Sequence, residues 1–131
     1  MNKTLADFLN KIKISQNYKI KSFITRKNKK IILILNILQK LGYINNYQIT
    51  KNNYIKIYLK YNKNIGAIRN IQIISKPSKR IYTKVKDHFK ISKLIIFKTN
   101  GFLIYSTNKG IITQQESILL NTGGELLFKI W

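Results

Sequence analysis

The chain has no cysteine, a single histidine and only four carboxylates among 131 residues. Without cysteine it has no disulfide, no thiolate nucleophile and no zinc–sulfur site. Acid–base or metal chemistry would have to come from Asp7, Asp87, Glu116, Glu125 and His88. Asp87 and His88 are adjacent, which points their side chains in different directions on most backbones. They read as surface helix positions rather than a catalytic pair. No glycine-rich loop of nucleotide-binding spacing occurs. The longest apolar run, Ile31 to Leu35, reads as a helix face and falls far short of the ~20 residues that span a bilayer. The first residues contain no apolar signal core, and Asp7 argues against a transit peptide. We therefore expect no catalytic residue, no metal, no cofactor, no small-molecule substrate and no membrane partner.

What the chain has in excess is positive charge. Lys and Arg number 25 against 4 Asp and Glu, a formal net charge of +21. Such a molecule repels itself when compact and calls for a polyanion, with nucleic acid the first candidate and a membrane surface the alternative. The hydrophobic fraction of 44%, with 11% aromatic residues, is enough to build a core and excludes a disordered basic tail. The 26 isoleucines, 22 lysines and 15 asparagines are amino acids of A/T-rich codons, while alanine occurs only at positions 6 and 67. This bias explains why the charge is mostly lysine, and it makes Arg26, Arg69 and Arg80 noteworthy, since arginine binds phosphate with better geometry.

Hydrophobic periodicity predicts an α+β protein: an N-terminal α-β-α-β-β unit over residues 1–62, then a mainly β unit over 63–131 with one capped helix. Leu5, Phe8, Leu9 and Ile12 set a helix over 4–14. Residues 20–26 alternate as a strand. Asn28 is a candidate N-cap for a second helix through Ile31, Ile34, Leu35, Leu38 and Leu41, which Gly42 stops. Asn45-Asn46 reads as a turn. Residues 47–50 and 54–61 form a hairpin, with Ile55, Ile57, Leu59 and Tyr61 on one face. Residues 62–66 are the best linker. Beyond it, strands are expected at 68–74, 80–83, 94–98 and 102–106, with a turn at 75–78, a basic helix-like segment near 84–90 and a turn at Asn100-Gly101. Thr113 and Glu116 form a capping box opening a helix to Leu120. Gly123 and Gly124 turn the chain into a closing strand with Leu126, Phe128 and Ile130 on one face.

The segment Ser106-Thr107-Asn108-Lys109-Gly110-Ile111-Ile112-Thr113 stands out. A polar loop ends in glycine and runs toward the helix start, which would gather backbone N–H groups, two hydroxyls, a carboxamide and a lysine at one surface point. That inventory suits an RNA backbone better than a small molecule. An ordinary strand–turn–helix joint is the alternative reading of the same residues.

Three blocks together resemble the universal small-subunit ribosomal protein family called S-eight. They are Ser75-Lys76-Pro77-Ser78-Lys79-Arg80-Ile81-Tyr82, the loop Ser106 to Thr113, and Gly123-Gly124-Glu125-Leu126-Leu127. Ala6-Asp7-Phe8-Leu9 and Lys40-Leu41-Gly42-Tyr43-Ile44 are similar to the family's opening helix and second-helix end. Asn108 departs from the family's second serine but keeps a donor and an acceptor. Ser78 departs from a glycine, which would strain a turn needing positive φ.

The resemblance implies a non-enzymatic, two-domain protein that binds the central domain of small-subunit ribosomal RNA, aids its assembly and sits beside other small-subunit proteins. It implies RNA contacts at Ser106, Thr107, Asn108, Lys109 and Gly110, with Lys76, Pro77, Lys79, Arg80 and Tyr82 nearby and the Gly123, Gly124 and Glu125 turn contributing. Chemistry agrees with this. A-form RNA is read by shape, 2′-hydroxyls and unstacked bases, which hydroxyls and a carboxamide can meet. Tyr82 either stacks on a base or is a half-buried strand residue. Glu125 either accepts from a base amine or anchors the nearby loop. Other classes compete: a basic enzyme acting on nucleic acid, a general nucleic-acid-binding protein, and a membrane-surface binder, which would need a long helix with a wide apolar face and a basic rim. The codon bias and bacterial-type pattern suggest an organellar ribosome, mitochondrial first, with a plastid-type organelle or an A/T-rich bacterium as alternatives.

Overall fold

A computed structural model describes residues 3–84 and 101–131. The chain divides into two compact units, residues 7–69 and residues 70–131, the latter grouped with the start of the chain. Both mix helices and antiparallel strands, an α+β protein. The expected strand at 94–98, Asn100, the Asp87/His88 pair and the helix-like segment beyond Lys84 lie outside the described residues.

The first unit follows the order α1 (Lys3–Asn17), β1 (Ser22–Arg26), α2 (Lys29–Lys40), β2 (Ile44–Ile49) and β3 (Tyr54–Leu59). Its sheet has the order β1-β3-β2, antiparallel throughout. Period-two alternation in β3 puts Ile55, Ile57 and Leu59 in the core, where Phe8, Leu9 and Ile12 of α1 and Ile31, Ile34, Leu35 and Leu38 of α2 are also buried. The Phe8 and Phe23 rings lie 6.4 Å apart. The Asn28 carboxamide oxygen accepts from the Lys30 amide at 2.9 Å, the N-cap expected of it. Gly42, at φ +83°, follows the end of α2.

Two expectations are corrected in this unit. Asn45-Asn46 is not a turn: both residues lie inside β2, where the pairing slips between Ile44 and Asn46. The extra residue of this bulge keeps Ile44 in the core while both asparagines face water. Residues 62–66 are a tight hairpin rather than an open linker, pairing β4 (Tyr61–Asn62) with β5 (Ile65–Gly66). Lys63 and Asn64 both have positive φ, as a two-residue hairpin turn demands. The Tyr61 hydroxyl donates to the Ile20 carbonyl at 2.6 Å, fastening the hairpin to the end of the α1–β1 loop.

The second unit contains β6 (Ile71–Ile73), β7 (Tyr82–Thr83), β8 (Phe102–Thr107), β9 (Gly110–Thr113), α3 (Gln114–Leu119) and β10 (Gly124–Ile130). The sheet runs β6-β10-β8-β9, with β7 paired to the start of β10. Leu103, Tyr105 and Leu126 form its core, with Ile74 packed against them. The expected strand at 68–74 shortens to the three residues that pair with β10. β10 does not have one buried face, as its alternation suggested. It is a central strand, and everything from Leu126 to Ile130 is buried, Lys129 included. Burial pushes the Lys129 ammonium below its ordinary range, and its Nζ lies 4.9 Å from the centre of the Trp131 ring.

Candidate nucleic-acid interface

The sheet of the second unit brings the three motif blocks together. Glu125 of β10 stands opposite Tyr82 of β7 on one side and Ser106 of β8 on the other. Ser106 in turn stands opposite Ile111 of β9. Directly opposed residues share a sheet face, and neighbouring strands lie about 4.8 Å apart. Tyr82, Glu125 and Ser106 therefore form one row about 10 Å long. Residues more than forty positions apart in some pairs reach one surface because β10 is threaded between β7 and β8.

The basic block is a minimal hairpin. Lys76 and Lys79 exchange both backbone hydrogen bonds at 3.0 Å, with Pro77-Ser78 as the turn. Pro77 sits where no amide donor is needed. Ser78 does not have positive φ, so serine in place of glycine costs this turn nothing. The two lysines are exposed and directly opposed, an arrangement that like charges disfavour unless an anion lies between or above them. Arg80 is exposed immediately beyond.

This hairpin is pinned to the sheet by Ser75 and Glu125. The Ser75 hydroxyl donates to the Glu125 carboxylate at 2.7 Å and accepts from the Ile81 amide at 3.2 Å. Partial burial by itself pushes the Glu125 carboxyl up. Hydrogen bonds and nearby positive charge, with Ser75 and Arg80 among their sources, outweigh that and bring it below the ordinary carboxylate value. Glu125 thus bonds a serine hydroxyl of the basic block rather than the amides of the loop. The sequence assigns Ser75 no role. Nothing in a serine at the edge of a basic run marks it as fully buried, which it is.

The polar loop is the tip of the β8–β9 hairpin. Asn108 and Lys109 are its exposed turn residues, between Thr107 and Gly110, which pair. Thr107 works mainly inside the turn: its hydroxyl accepts from the Lys109 amide at 3.1 Å and donates to the Gly110 carbonyl at 3.0 Å. Gly110 has φ +109° with open space where a Cβ would stand, so backbone conformation, and not crowding, demands glycine there. One expectation is corrected. The loop does not run straight into the helix: β9 intervenes, and Thr113, whose hydroxyl accepts from the Glu116 amide at 3.4 Å, caps α3 about 10 Å away along that strand. The helix-start amides and the loop hydroxyls are two places, not one.

Gly123 and Gly124 have a packing role. A Cβ on Gly123 would meet the Thr83 carbonyl oxygen at 2.6 Å, and one on Gly124 would run into the Ser106 carbonyl oxygen. The pair lets β10 enter between β7 and β8, which sets the row above. Tyr82, left between two readings, is 66% exposed, so its ring is available at the surface and is not half-buried.

Among the described residues no group of histidine and carboxylate side chains could hold a metal, and no helix is long and apolar enough to cross a membrane. The face instead offers lysines, an arginine, an open tyrosine ring and an amide-bearing turn on an antiparallel sheet. Groups of these kinds can hold phosphates and bases. The sequence profile of the family described as ribosomal protein S8 matches residues 3–131. The chain is similar to small ribosomal subunit protein uS8m of Acanthamoeba castellanii, 41% identical over 126 residues that cover 96% of this chain and 97% of that one. It is also similar to small ribosomal subunit protein uS8 of Mycoplasma genitalium, 33% identical over 128 residues, 97% of this chain and 91% of the other.

Proposed function

The chain belongs to the ribosomal protein S8 family, structural and non-enzymatic proteins of the small ribosomal subunit, and we propose that it grips a stem in the central domain of small-subunit ribosomal RNA with the face just described. The row Tyr82–Glu125–Ser106, with the pinned basic hairpin at one end and the Asn108–Lys109 tip at the other, is the observation that carries this reading. Lys76, Lys79, Arg80 and Lys109 hold phosphates. Asn108 and Ser106 meet 2′-hydroxyls or base edges, and Tyr82 stacks on a splayed base. Pro77, Thr107, Gly110, Gly123, Gly124 and Glu125 shape the surface on which those contacts sit. Neighbouring proteins of the subunit complete its surroundings. We place that ribosome in a mitochondrion, a reading supported by the A/T-driven composition and by the likeness to the Acanthamoeba protein.

A binding titration of wild type and Asn108→Ala against the cognate stem and a scrambled duplex tests the site. A lost bidentate-quality contact should cost about 1–3 kcal/mol on the cognate stem only. Full discrimination in a folded Asn108→Ala protein removes this tip from the interface. Sequencing the RNA that co-purifies with the protein from its cells tests the location: a mitochondrial small-subunit RNA is expected, and a bacterial or plastid one overturns the placement.

A further inference from the structure

None of the residues assigned so far lies in the first unit, yet residues 7–69 hold 14 of the 25 lysines and arginines and a single carboxylate, Asp7. A unit that basic needs an anion of its own. Its sheet shows where. The helices cover one face, and the other is open: Arg26 stands opposite Tyr54, Ile24 opposite Lys56 and Lys56 opposite Gln48, with Tyr58 one row further along β3. Tyr54 is 39% exposed, Ile24 is 51% exposed, and Arg26 and Gln48 are also exposed. Lys56 and Tyr58 are partly exposed, with the Lys56 Nζ 5.3 Å from the centre of the Tyr58 ring. The core-facing side of the same strand is purely aliphatic, so the tyrosines are not there to fill space.

We propose that this open sheet face is a second RNA-binding surface, one that takes an unpaired segment by stacking its bases on Tyr54 and Tyr58 while Arg26 and Lys56 hold its backbone. Charge selects the occupant. A flat antiparallel face with two tyrosines on one strand, cations among them and no carboxylate repels a basic protein and attracts a polyanion. Aromatic rings on such a platform accept bases of any identity, because every base has a π-face. The two rings are four residues apart on one strand, about 13 Å, which leaves room for the cation between them. Duplex RNA cannot use the rings, since its bases are already stacked on one another. The second surface therefore differs from the first in the form of RNA it takes. It rests on the ribosomal-RNA reading above, and it adds a contact outside the stem.

The test uses the full chain with two probes: a mixed-sequence single-stranded RNA of about 12 nucleotides, inside the range that one such platform engages, and the cognate stem. Titrations are run at raised salt to suppress non-specific attraction. Tyr54→Leu/Tyr58→Leu should weaken single-strand binding by about 10-fold or more and leave stem binding unchanged, while Tyr54→Phe/Tyr58→Phe keeps both. Ultraviolet crosslinking of the wild-type protein to the single strand should mark peptides containing Tyr54 or Tyr58, a readout that does not depend on the fold of a variant. Equal single-strand affinity of the leucine variant and wild type overturns the proposal, as do crosslinks confined to residues 70–131. A wild-type protein that binds the stem but not the single strand overturns the second surface alone. A protein that binds neither overturns the stem reading with it.

Discussion

Replacing the buried Ser75 with alanine should loosen the second unit. The hydroxyl is fully buried and bonds the Glu125 carboxylate at 2.7 Å and the Ile81 amide at 3.2 Å. A hydrogen bond to a charged group contributes about 1.5–3 kcal/mol, and an amide left without its acceptor adds to the loss. Glu125 is only partly buried and the amide contact is long, so the lower end applies, about 2 kcal/mol. For a domain of this size that is on the order of 10 °C in melting temperature. Trp131, the only tryptophan, lies in this unit and makes its unfolding visible by fluorescence. The same substitution in a Glu125→Ala background should cost roughly 1 kcal/mol less, because the carboxylate partner is already gone. A Ser75→Ala protein that melts with wild type refutes the pin. An equal loss in both backgrounds refutes the Ser75–Glu125 coupling.

Lys76→Ala or Lys79→Ala should each lower the salt dependence of RNA binding by about one counterion-equivalent, with little change in preference among stems; an unchanged slope removes that lysine from the phosphate contacts. Gly110→Val should cost about 1–2 kcal/mol of stability, because φ +109° is forced on a side chain, and it should blunt discrimination between stem and scrambled duplex; a melting curve superimposable on wild type would contradict it. The Glu125 carboxyl lies below the ordinary 4.5 in the folded chain, so its contribution is present above that pH and lost as pH falls through the depressed value. Acid titration followed at Trp131 should show this loss in wild type and a flatter curve in Glu125→Gln. Added cognate RNA should raise the melting temperature of the free protein, and indifference to RNA would count against binding.

The helices and buried strands were legible because their signals are local. The 3.6-residue spacing of Ile31, Ile34, Leu35 and Leu38 and the alternation of Ile55, Ile57 and Leu59 each match the observed burial. What misled was chemistry with two uses. Asparagine favours turns, but in Asn45-Asn46 it occupies a bulge, and in Asn64 it supplies the positive φ of a hairpin. Strand order is a long-range property, so nothing near Leu126 announced that both sides of β10 are covered. The candidate site followed the same division. Its residue types could be read from three short blocks, and their resemblance to one family joined them. The row that unites them exists only through the pairing of β7, β10 and β8, and Ser75 acquires its role only when Glu125 is brought beside it.

The central place of β10 has a consequence for synthesis. Strands β6, β7 and β8 are all made before it, and each pairs with it rather than with the others. Until residues 124–130 are added, the described strands β6, β7 and β8 lack the strand that joins them, and Tyr82 and Ser106 lack the Glu125 that stands between them. The face proposed to grip the stem is thus withheld from a half-made chain, whereas the sheet at 22–59 is complete some sixty-five residues earlier in translation. A nascent copy has its tyrosine-bearing sheet before the sheet of the second unit, so if it meets RNA during its own synthesis, it meets it with the first unit alone.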